Sequence, residues 1–149
     1  MKRYLGLDLG TKTCGVAISD RSNTIIFPHT TIRFPREEYD EAIKQLKVII
    51  EKEDITDVAI GLPKNMDGTL GFATERTLNF IPKLEALGVN VFTVDERLTS
   101  VEAERILHDN NLTSKEFKDK VDMAAATLIL ESYLRSISWW LIKIKILLV

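Results

Sequence analysis

Hydrophobic and polar positions divide this chain into stretches of different period, and each period names an element. Tyr4 to Leu9 is an apolar run interrupted by one carboxylate, Asp8. A short polar hinge, Gly10 to Thr13, separates it from a second apolar run that begins at Cys14. Residues 14–20 and about 23–33 alternate with the two-residue repeat of strands, joined by the turn Arg21-Ser22-Asn23. The three runs predict an antiparallel meander. Pro28 places the third at an edge or a bulge, because proline has no N–H to give to a ladder. From residue 37 to 53 the period switches: Tyr39, Ile43, Leu46 and Ile49-Ile50 recur at helical spacing, with Glu and Lys opposite.

Asp57 to Leu62 is a short apolar run closed by Pro63, the pattern of a buried strand. The turn-rich loop 64–69 leads into a helix with Phe72, Phe80, Ile81, Leu84 and Leu87 on its apolar side and Gly88 as its stop. Pro82 predicts a kink or break near residues 78–82. Val89 to Val94 reads as another buried strand, running into Asp95-Glu96-Arg97. Thr99 and Glu102 have capping-box spacing for a helix to about His108. A polar, Lys-rich stretch covers 113–120, and Val121 to Leu134 defines the last helix, with Asp122 in its first turn. This order predicts an α/β fold: a five-stranded mixed sheet, three antiparallel strands then parallel crossovers, strand one central, helices on both faces.

At 149 residues the chain suits one core and not two domains. Residues 1–137 make the domain, and 138–149 form an apolar tail. The net charge of −2 gives no whole-chain footprint for nucleic acid, so such a site must be local or set cations against phosphate. A single cysteine, Cys14, cannot form an internal disulfide. Met-Lys-Arg passes at once into a strand pattern, with no room for a signal peptide, so a cytoplasmic location is expected.

A carboxylate inside an apolar run is costly to bury unless something compensates it. Gly6 and Gly10 lie two positions either side of Asp8, on the same side of an extended chain, and are expected to clear space in front of it. The plainer reading is an Asp closing a hairpin. Ligands of open sheets gather beyond the ends of the central strands, where strand order reverses, and Asp95-Glu96 ends the last strand there. Asp122 has an ordinary role available at the positive end of a helix, yet it sits among Val121 and Ala124 to Ala126, positions that face a sheet. Three converging acids repel unless a cation joins them. Oxygen donors without paired Cys or His point to Mg²⁺ or Mn²⁺. His29 and His108 are isolated and read as surface residues.

Four segments carry a resemblance: Asp8-Leu9-Gly10-Thr11-Lys12-Thr13-Cys14-Gly15-Val16-Ala17, Gly61-Leu62-Pro63 with Asn65-Met66-Asp67-Gly68, Asp95-Glu96-Arg97-Leu98-Thr99-Ser100, and Val121-Asp122 through Leu134. Together they resemble the YqgF family, the RuvX-like Holliday junction resolvase-type proteins of the ribonuclease H superfamily. The resemblance implies a ribonuclease H-like fold and a Mg²⁺-dependent nuclease. Such an enzyme would either process the 5′ end of precursor 16S ribosomal RNA or resolve Holliday junctions. The family's acidic positions, catalytic and metal-binding, fall on Asp8, Glu96 and Asp122. Alternation puts Asp95 and Glu96 on opposite faces, and a strand buried on both sides does not say which faces the cleft. The longer reach of Glu and the resemblance favour Glu96, with Asp95 supporting it by holding Arg97 or a backbone N–H. Thr11, Lys12, Lys64 and Arg97 sit in motif loops at the same end of the sheet and are the expected phosphate contacts; the three cations have the alternative of solvated loop charges. Nucleic acid is the expected partner and a membrane is not. A junction enzyme needs two sites for two cuts, hence a homodimer, whereas an RNA-trimming enzyme could act as a monomer.

The tail departs from the family, whose members usually end soon after the final helix. Ile142, Ile144 and Ile146 alternate with Lys143 and Lys145, a strand pattern that would cover a sheet edge, pair with a second chain or stay disordered. At about a dozen residues it is too short to span a bilayer, which takes ~20. Two rival functions remain. A sugar-kinase or actin-type ATPase has a phosphate loop similar to Asp8-Leu9-Gly10-Thr11, but it encloses nucleotide between two such domains. A non-catalytic nucleic-acid binder on the same scaffold would leave three full carboxylates without a task.

Overall fold

A computed structural model describes residues 2–96 and 114–148. Its elements are β1 (Tyr4–Leu9), β2 (Thr13–Ser19), β3 (Ile26–Arg33), α1 (Tyr39–Lys52), β4 (Asp57–Leu62), α2 (Phe72–Glu85), β5 (Asn90–Asp95) and α3 (Ser114–Leu148). The five strands form one sheet in the order β3-β2-β1-β4-β5, with β1 central. β1, β2 and β3 pair antiparallel, while β4 and β5 add in parallel. It follows that β1, β3, β4 and β5 all point the same way. Pro28 lies on the edge strand, where a bulge between Val16 and Ala17 shifts the register, so both features expected of it occur.

Strand alternation sorts the core into two layers. Leu5, Leu7, Leu9, Val16, Ile18, Val58 and Ile60 project to one side, where α1 and α2 cover them with Ala42, Leu46, Ile50, Phe80 and Leu84. Tyr4, Ala17 and Ala59 project to the other side, against Ala126, Ile129 and Leu130 of α3. There Tyr133 stacks on Phe92 with ring centroids 4.9 Å apart. Helices therefore cover both faces, as the pattern predicts.

Four expectations need correction. β5 is the sheet's other edge, and its residues are half-buried or exposed, not buried on both sides; an apolar run alone does not separate an edge strand from a central one. α2 runs unbroken through Pro82. That proline lies in the last turn, where only one ladder bond is lost. α3 begins at Ser114, so the Lys-rich stretch is helical and Asp122 lies well inside the helix, away from its positive end. The tail continues α3 to Leu148 in place of a strand. With no Gly or Pro after Ser114 to stop it, extending an existing helix adds one bond per residue and needs no new nucleus. Among the described residues no helix is long and apolar enough to cross a membrane. The helix expected over 99–108, with Arg97 and His108, lies outside the described residues.

Candidate active site

Asp8 is the next-to-last residue of β1 and shares a face with Gly6 and Tyr4, the side that α3 covers. On β5 the same face carries Phe92, which stacks on Tyr133 of α3, and Val94, which packs in the α3 layer. Two residues further on, alternation brings Glu96 to that side and sends Asp95 to the other. The ambiguity left by periodicity is thereby resolved. Glu96 is buried at 9% exposure, whereas Asp95 is exposed. The carboxyls of Asp8 and Glu96 face each other across β4, near enough for each to shift the other's pKa.

The space for this pair comes from glycines in the neighbouring strands. Gly15 is paired with Asp8 across the ladder, and Gly61 follows Ile60, the partner of Leu7. A Cβ on Gly15 would lie 2.1 Å from the Asp122 carbonyl oxygen, and one on Gly61 would lie 2.1 Å from Glu96 Oε2. Both positions thus let acidic residues close over the sheet. Gly6 does not open space for a ligand as expected: a Cβ there would strike the Ala126 carbonyl oxygen at 2.6 Å, so its room is taken by α3. Gly10 belongs to the hairpin turn, where its N–H donates to the Thr13 carbonyl at 2.7 Å.

Asp122 arrives on α3 and is held by Thr13, whose buried hydroxyl donates to Asp122 Oδ2 at 3.0 Å. The same helix is tied to β3 by Thr31, which donates to the Asp119 carbonyl at 3.2 Å, and by the Arg33–Asp119 ion pair. Burial and then the Asp122 charge raise the Asp8 carboxyl to about 6, against the hydrogen bond from Glu96. Burial, and after it the Asp8 charge, raise Glu96 to about 8. Crowded, desolvated carboxylates hold their protons because ionising them together is costly. Among the described residues, no three His, Cys, Asp or Glu side chains are grouped as they would be around an ion. Asp8 and Glu96 act on each other, and Asp122 acts on Asp8 while bonded to Thr13.

The expected phosphate contacts lie at this end of the sheet. Lys12 is exposed and Thr11 half-buried in the β1–β2 turn. Lys64 follows β4, with its Nζ 4.0 Å from Asp95 Oδ2; Asp95 therefore has a partner other than those expected. Arg97 lies outside the described residues. Three site residues, Thr13, Gly15 and Gly61, were not singled out from the sequence. A glycine within a strand pattern signals close backbone approach, and that signal was present at both glycine positions.

The chain resembles known proteins along most of its length. Curated relatives named "Putative pre-16S rRNA nuclease" include one from Clostridium acetobutylicum, 45% identical over 136 residues, covering 91% of this chain and 99% of that protein. Another, from Caldanaerobacter subterraneus, is 46% identical and covers 90% and 96%. Among solved structures, Thermus thermophilus RuvC in complex with a Holliday junction substrate aligns with a TM-score of 0.56 at 13% identity over 91% of this chain and 96% of that one. The fowlpox virus Holliday junction resolvase aligns at 0.54 and 14% over 90% and 99%. At such identity these structures speak to the fold, which is ribonuclease H-like. The family model described as "RuvX: Holliday junction resolvase" matches residues 2–136, and the chain belongs to that family.

Proposed function

We propose that this nuclease trims the 5′ end of precursor 16S ribosomal RNA in the cytoplasm, hydrolysing a phosphodiester bond with Mg²⁺ or Mn²⁺. The observation that carries the reading is the Asp8–Glu96 carboxyl pair, Glu96 buried and Asp8 half-buried, with the Asp122 charge acting on Asp8, at the C-terminal end of the central strand. The donor set fits a hard divalent cation, being all oxygen and acidic. The raised carboxyl pKa values are what a cation would reverse, since it favours the ionised forms. Asp8, Glu96 and Asp122 would hold the metal. When bound, it would lower the pKa of an attacking water and stabilise the leaving oxygen.

The chain's own residues have defined tasks in this scheme. Asp8 and Glu96 must both be ionised to become metal donors, against the burial that raises their pKa values. Thr13 keeps Asp122 oriented through its hydroxyl. Asp95 engages Lys64 and so sets the loop after β4 against the end of β5. Lys12, Thr11, Lys64 and Arg97 would grip the phosphates that flank the cut. The relatives' names favour precursor ribosomal RNA. The description of the family favours a second reading, cleavage of branched DNA, for which the protein would work as a homodimer. Incubating the protein with a labelled precursor 16S fragment and with a four-way DNA junction, each with Mg²⁺ and with chelator, separates the two. Mg²⁺-dependent cutting of the RNA alone is expected. Cutting of the junction alone would replace the reading with its rival, and cutting of neither would remove both.

A further inference from the structure

The loop after β4 and the start of α2 expose more apolar surface than the domain needs. Met66, Leu70 and Phe72 are all more than 60% exposed, and Phe72 reaches 89%. Phe72 stands between two hollows. One, of about 420 Å³, lies along Leu70, Thr74 and Leu78. The other, of about 480 Å³, lies between the start of α1 and the length of α2, where Arg36, Tyr39, Arg76 and Asn79 line it together with Phe72. The Tyr39 hydroxyl is buried there beside Arg76. Glu37, Glu75 and Lys83 complete the charged wall, and Lys83 is engaged by Asp40 at 2.8 Å.

The second hollow is on the α1/α2 side of the sheet, not over the carboxylates, yet it joins them at the sheet's end. Both helices begin just after strands that point toward the Asp8 end. The β1–β2 turn is bonded directly to the rim: the Glu37 N–H donates to the Thr11 carbonyl at 2.8 Å, and the Phe34 N–H to the Lys12 carbonyl at 3.0 Å. A strand of nucleic acid gripped by Thr11 and Lys12 would therefore meet Arg36 and then Phe72. An aromatic ring open on its faces, with guanidinium groups and an amide beside it, is the chemistry that takes an unpaired base and its phosphates. A protein-docking core would be depleted of charge, and five of the nine residues around this hollow are charged.

The geometry points to a single-stranded arm of the nucleic-acid substrate in this groove, one base stacked on Phe72 and the backbone phosphates on Arg36 and Arg76. The inference rests on the nuclease reading and adds a requirement for unpaired nucleotides next to the cut. Fluorescence anisotropy with a labelled 12-nucleotide single-stranded RNA, in chelator so that nothing is cleaved, tests it on the full chain. Phe72→Ala should raise Kd at least about fivefold, and Arg36→Ala should flatten the salt slope by about one. Affinity for blunt duplex RNA should be unchanged in both variants. Equal binding of single strands by wild type and Phe72→Ala overturns the inference, as does a wild type that cleaves substrate but does not bind single strands. Loss of a dimer in Phe72→Ala, seen by sedimentation with RNA affinity intact, would assign the ridge to a second copy of this chain instead. A wild type that binds single strands through Phe72 but cleaves neither RNA nor junction would keep the groove and remove the nuclease reading.

Discussion

Leu5, Leu7 and Leu9 of β1 turn toward α1 and α2, while Gly6 and Asp8, one residue out of phase, turn toward α3. The first side is filled by large aliphatic side chains with little or no exposure to water, each worth about 1.5–3 kcal/mol on burial. The middle of the second side is reduced to Gly6, Gly15, Ala17, Ala59 and Gly61, and the backbone of α3 rests almost on the sheet there. One face holds the fold together. The other gives up packing volume so that the carboxyls of Asp8 and Glu96 can face each other, with Asp122 of α3 held by Thr13. Stability and chemistry are thus separated by strand alternation, and substitutions on the two faces should fail differently.

The largest expected effect on stability is on the aliphatic face. Leu7→Ala should cost about 2–5 kcal/mol, read from urea unfolding, with cleavage per folded molecule unchanged. Gly15→Ala comes next. Its new Cβ meets backbone of α3, which cannot step aside cheaply, so about 1–3 kcal/mol is lost together with activity. Gly61→Ala meets flexible side-chain ends, Glu96 Oε2 and Ile129 Cδ1. It should unfold within about 1 kcal/mol of wild type and still lose cleavage, because Glu96 is displaced. If Gly61→Ala cleaves normally, the claim that this glycine makes room for the acid pair fails.

A smaller effect is the pH dependence of stability in chelator. Asp8 and Glu96 are raised from ordinary values of 3.8 and 4.5 to about 6 and about 8. The folded protein binds more protons than the unfolded chain across that window, so their contribution to stability falls as pH rises from about 4 to about 8. Thermal unfolding of wild type and Glu96→Gln should show the slope in the former and much less of it in the latter. Asp8→Asn should be as stable as wild type or slightly more so in chelator, with one repelling carboxylate gone.

Much of this arrangement was legible in the chain, and the misses share a cause. The meander, the central position of β1 and the edge proline follow from alternation, and Asp8 stands out because it interrupts an apolar run; choosing Glu96 over Asp95 took the family resemblance as well. What alternation could not give was information across strands. Gly6 and Gly10 were expected to serve Asp8 because they are its neighbours along the chain, but the glycines that make its room, Gly15 and Gly61, are neighbours in the sheet. β5 looked buried because an edge strand with one covered face can carry the same apolar run as a central one. The alternation of Ile142 to Ile146 suggested a strand, yet the pattern of a few residues yields to the cooperative extension of a helix already formed.

The central claim is that the carboxyls meeting on the α3 face perform the hydrolysis, and the junction of β5 with the following loop tests it most directly. Asp95 and Glu96 are adjacent in sequence, equal in charge and opposite in direction. Cleavage of the precursor 16S fragment with Mg²⁺ should be measured for wild type, Glu96→Gln and Asp95→Asn side by side, with circular dichroism to confirm the fold of each. The account predicts that Glu96→Gln is inactive while Asp95→Asn keeps measurable activity. An inactive Asp95→Asn beside an active Glu96→Gln would contradict it and place the chemistry on the other face of the sheet.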